Sequence, residues 1–87
     1  MPTLSMFYGI IIRMNNEHSQ HHTPHIHAKY QNYESSFDFD GNIISGDFPI
    51  KKRKMIEVWI DLHREELEAN WELINAGDDF FKIAPLK

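Results

Sequence analysis

Five of the six histidines of this chain, His18, His21, His22, His25 and His27, lie within ten residues. Imidazole titrates near neutral pH and is the commonest metal ligand, so a cluster of this density points to acid–base or metal chemistry. His25 and His27 are two apart in a β-type segment. Both side chains therefore leave the same face, about 7 Å apart along the backbone. Two such rings can share one divalent transition metal, with zinc, nickel or iron suited to nitrogen and oxygen ligands. His21, His22 or His18 from the preceding loop would complete the set, or Glu34 or Asp38 from the following strand. The competing reading is a half-exposed polar strand face with no ligand.

Arg13 falls on the same outer face by alternation. A His–Arg surface is also what metal-independent phosphodiester cleavage needs. His25 and His27 would act as general acid and base, and Arg13 would stabilise the developing phosphorane charge. RNA is the partner such a site implies. Lys51, Lys52, Arg53 and Lys54 form a second candidate phosphate contact, against the alternative of a solvated helix face. His63 and Asn70 sit in the middle of an apolar helical arc, two turns apart. Buried polar groups need partners. They either bond to neighbouring backbone or line a pocket, with His63 as a further candidate for catalysis.

These side chains must be held by a small fold. The chain has 87 residues, 41% hydrophobic and 13% aromatic, which is the composition of one folded domain spanning 1–87. It has no cysteine, which removes disulfides, thiolate metal sites and cysteine nucleophiles. A small secreted domain usually needs disulfide staples, so a cytoplasmic location is expected. No apolar run is long enough for a membrane span. A net charge of −4 argues against a domain devoted to gripping nucleic-acid backbone.

Residues 6–14, 25–31, 33–40 and 43–48 read as strands. Ile10, Ile12, Met14, Ile26, Ala28, Tyr30, Ser35, Phe37 and Phe39 fall on an inner face, and Tyr8 and Tyr33 are grouped with them. From Lys51 to Ala76 the period changes to helical, and Gly77 supplies a stop. The expected fold is α+β: a small antiparallel sheet of three to four strands packed against one long C-terminal helix, with a break near His63 as the alternative. The apolar tail 80–86 is expected to pack back as an edge strand or extended segment. An exposed edge strand and a broad apolar arc allow a homodimer.

Several segments resemble one family. They are the opening 1–14, the box Thr23-Pro24-His25-Ile26-His27-Ala28-Lys29-Tyr30, the box Leu62-His63-Arg64-Glu65-Glu66-Leu67, and Asn70-Trp71. Together they are similar to the small prokaryotic domain of unknown function numbered four-one-six-zero. The family's pattern has a Pro-Pro pair before His-x-His; here Thr23 replaces the first proline, and the preceding loop is longer, which leaves the role of His21 open. The resemblance implies a gene neighbour encoding a second small protein, in an arrangement like a toxin–antitoxin pair. On that reading the protein is one component of the module, with its histidine-rich face available for RNA cleavage or metal binding. The alternative is a non-catalytic interaction or regulatory module whose histidines are structural. No helix-turn-helix pattern supports DNA readout, and no phosphate-cradling glycine loop supports nucleotide hydrolysis.

Overall fold

The computed structural model describes residues 3–15 and 23–87. Its strands are β1 (Thr3–Phe7), β2 (Ile10–Arg13), β3 (His25–Tyr30), β4 (Tyr33–Asp38) and β5 (Ile43–Gly46). They form one antiparallel sheet in sequential order, and helices α1 (Ile50–Leu62) and α2 (Arg64–Asn75) follow. The α+β class is as expected, but the sheet has five strands in place of three to four.

The extra strand comes from the opening apolar run, which is a hairpin and not one strand. Tyr8 and Gly9 turn the chain with φ of 48° and 78°, the left-handed pair that matches the twist of a two-residue hairpin. Gly9 adopts this conformation without steric cost. Tyr8 is thereby placed at the tip and is 53% exposed, while Phe7 takes the buried position. Tyr33, also expected inside, is 42% exposed beside the β3–β4 turn. At the last strand, Gly46 has φ 85° and lies so close to β4 that a Cβ would collide with the Glu34 carbonyl oxygen.

The helical segment is divided at His63. The His63 N–H reaches the carbonyls of Trp59 and Ile60, and α2 starts afresh at Arg64. The break lets two apolar stripes cover one sheet face. Ile56, Trp59 and Ile60 from α1, with Leu67 and Ile74 from α2, join Leu4, Ile10, Ile12, Ile26, Ala28 and Phe37 in a single core. Burial of this kind contributes about 25 cal/mol per Å² of apolar surface and is the main favourable force in a domain of this size.

The tail is tied down by polar contacts. Fully buried Asn70 holds both backbone polar groups of Phe81: its Nδ2 donates to the Phe81 carbonyl at 2.8 Å, and the Phe81 N–H donates to its Oδ1 at 2.9 Å. Trp59 Nε1 donates to the Ala84 carbonyl at 2.9 Å, and the Ile83 N–H donates to the Leu4 carbonyl at 2.9 Å. The tail is thus an extended segment against β1, and Asn70 bonds to backbone as its buried position requires. Asn70→Ala is expected to lower unfolding free energy by about 1–3 kcal/mol. In hydrogen exchange, the Ile83 amide should lose protection before the β3 amides do.

Candidate functional site

Two helices and a tail cover one face of the sheet, and among the described residues no element covers the other, open face. Alternation decides which residues reach it: Ile26 and Ala28 are buried, while His25 and His27 point outward. Register then aligns a row across the strands. Arg13 on β2 faces His27 on β3, His27 faces Ser36 on β4, and Ser36 faces Ser45 on β5. This row, with Lys29 and Glu34, lines a groove of about 340 Å³.

Each member has a defined environment. His27 Nδ1 lies 3.3 Å from Ser36 Oγ. His25 Nδ1 lies 2.7 Å from the Thr23 carbonyl oxygen. A carbonyl only accepts, so the His25 ring donates there, and its neutral form carries the proton on Nδ1 and leaves Nε2 as the unprotonated, basic nitrogen. The two rings meet edge to face with centroids 5.0 Å apart. Arg13 Nε is buried and has no hydrogen-bond partner among the described residues. A buried donor in that state carries a desolvation cost that an incoming acceptor would offset.

The helix layer also reaches this site. The Trp71 indole lies 5.4 Å from the His25 ring and 6.2 Å from Phe39, linking the core to the end of β3. Trp71 reads as a core residue in the sequence, and only the fold reveals its second contact. Ser36 and Ser45 are likewise missed, because cross-strand register is not written in local spacing.

Other candidates are held elsewhere. Asp38 faces His25 in register, but its Oδ1 accepts the N–H groups of Asp40 and Asn42 at 2.9 Å each, so the carboxylate serves the β4–β5 turn. Glu34 pairs with Lys29 at 3.7 Å. His63 lies at the helix break on the covered side, its ring 5.5 Å from Trp59 and its Nδ1 2.7 Å from Glu66 Oε1. The fold therefore does not bring His63 into the Arg13–His27 row. Of the basic run, Lys52 donates to the Tyr8 carbonyl at 3.1 Å and lies 4.8 Å from the Tyr30 ring centre. Arg53 pairs with Glu57 at 3.9 Å. Lys51 and Lys54 are exposed on the outer side of α1, away from the open sheet face. Arg64 bonds Glu68 and Asp40, which raise its already high pKa further.

Among the described residues, no group of three or more His, Asp or Glu side chains is placed to hold a metal ion. His25 and His27 supply two nitrogens, and His21, the third expected ligand, lies outside the described residues, as do His18 and His22. No helix of the described residues is long and apolar enough to cross a membrane. Long-range ¹H–¹⁵N correlation spectra at a pH where His25 is neutral should show its proton on Nδ1, with the Nε2 shift of an unprotonated nitrogen. The reverse pattern would remove the Thr23 hydrogen bond from the account.

The chain matches no curated protein and no solved structure. A family model described as a domain of unknown function, DUF4160, matches residues 9–72, from the turn of the first hairpin through the residue after Trp71. The Thr23–Tyr30 box and the Leu62–Leu67 box both fall within that span, and the chain belongs to this family.

Proposed function

We propose that the open sheet face binds a phosphodiester and that the protein cleaves single-stranded RNA there without a metal. The observation that carries this reading is the buried Arg13 Nε without a hydrogen-bond partner, directly across from His27. A phosphate oxygen supplies the acceptor that this Nε lacks. His25 Nε2 takes the proton of the ribose 2′-hydroxyl, and the resulting oxygen attacks phosphorus. Protonated His27 gives a proton to the departing 5′-oxygen, and Arg13 stabilises the charge that builds on the phosphoryl oxygens. The products are a 2′,3′-cyclic phosphate and a free 5′-hydroxyl, so all atoms are accounted for. In this reading the chain is the RNA-acting component of a toxin–antitoxin-like module, with a small protein encoded nearby as its partner.

Cleavage of a labelled RNA in excess chelator tests the proposal. His25→Ala and His27→Ala should each lower the rate about 10²–10⁴-fold, and Arg13→Met about 10²–10³-fold. Arg13→Met should also leave the melting temperature unchanged or raise it, because a buried donor without a partner is removed. A 2′-deoxy substitution at the scissile position should block the reaction. Full activity in all three variants would overturn the assignment.

A second reading, divalent-metal binding, is favoured by one specific contact. The hydrogen bond from His25 Nδ1 to a backbone carbonyl is the arrangement that fixes a metal-ligating imidazole. The 5.0 Å ring separation also fits two imidazoles on one tetrahedral ion, for which Zn–N distances of about 2.0 Å place the ring centres about 5 Å apart. Elemental analysis separates the two readings. Near-stoichiometric zinc, nickel or iron that is lost in His25→Ala/His27→Ala favours the metal, whereas metal-free protein that still cleaves RNA favours the first reading.

A further inference from the structure

Helix α1 has an outer face that no element of the described fold covers. At 100° per residue, Lys51, Lys54, Val58, Asp61 and Leu62 lie within one arc, opposite buried Ile56, Trp59 and Ile60. Val58 is 52% exposed and Leu62 is 65% exposed, unusual for two aliphatic side chains one turn apart. The charges along this stripe are segregated. Lys51 and Lys54 stand at its start, Asp61 stands at its end, and Glu65 follows in the first turn of α2.

We infer that this face docks antiparallel on the same face of a second copy of the chain. A two-fold axis through Val58 places Val58 against its symmetry mate and the Leu62 side chain along the aliphatic stem of Lys54 in the partner. Lys54 then meets Asp61, twice by symmetry, and Lys51 and Glu65 stand at opposite ends of the facing stripes. An isologous contact demands this self-complementarity, in which each end of the stripe fits the opposite end of its own copy. Glu65 apart, the same charges are unfavourable within the monomer. Lysines in the first turn of α1 and an acid in its last turn both oppose the helix dipole, and the dimer offsets this with opposite charges. The stripe is about 16 Å long from Lys51 to Leu62. That is a small interface, so the dimer is weak and salt-dependent. Since α1 lies on the covered side, both open sheet faces point outward in the pair.

Sedimentation velocity over a wide protein concentration range tests this. The expected result is a monomer–dimer equilibrium that weakens as salt rises. Val58→Glu should abolish it. Lys51→Glu/Lys54→Glu and Asp61→Lys/Glu65→Lys should each weaken self-association at least tenfold, while an equimolar mixture of these two variants restores a heterodimer. Three of these changes favour the helix dipole, so loss of folding is not expected, and circular dichroism melts of each variant verify it. A monomer at all concentrations would overturn the inference. So would a dimer indifferent to Val58→Glu, or charge variants that fail to complement on mixing.

Discussion

A chain of 87 residues has enough apolar side chains to cover one face of a five-stranded sheet, and the fold is organised by that shortage. Strand side chains alternate, so every residue committed to the core commits its neighbours to the other face. Ile26 and Ala28 are buried against the helices, and this alone sends His25 and His27 outward. Ile12 is buried and sends Arg13 to the same side. The polar row is thus the direct complement of the core, and a one-residue slip of β3 would exchange the two sets.

The family span and the architecture divide the molecule in a consistent way. Residues 9–72 include β2 to β5, α1 and most of α2, which hold the Arg13–His27–Ser36–Ser45 row and Trp71. β1 and the tail lie outside that span and are bonded to one another through Ile83 and Leu4. The first strand and the last segment therefore act together as one added layer on the β2 edge, with Asn70 as the anchor inside the family span.

Much of this could be read in the residues, and the failures have physical causes. The inner faces of β2 and β3 follow from period-two alternation, and the buried set Ile10, Ile12, Met14, Ile26 and Ala28 is as that alternation requires. The first hairpin was hidden because Tyr8 and Gly9 interrupt an apolar run without polar turn residues, leaving Gly9 as the sole signal. The break at His63 was legible only as an alternative, since neither proline nor glycine marks it. For the site, the outward placement of Arg13, His25 and His27 was legible. Their alignment with Ser36 and Ser45 was not, because it depends on the cross-strand registers of β3 with β4 and of β4 with β5, which local spacing does not encode. The turn role of Asp38 was also obscure, since a carboxylate on a strand end gives no sign of whether it faces a ligand or its own backbone.

The Ile83–Leu4 hydrogen bond joins the two ends of the sequence. During synthesis, β1 emerges before the tail and pairs with β2 on one side only, so its other edge is a bare template for any extended chain. It stays bare until residues 80–86 have emerged and docked. The protein therefore carries the edge protection of β1 in a segment made long after the strand it covers. A chain without residues 80–86 would keep the Arg13–His27 row but lose Ile83 from the core, leave buried Asn70 without its backbone partners and open one edge to aggregation.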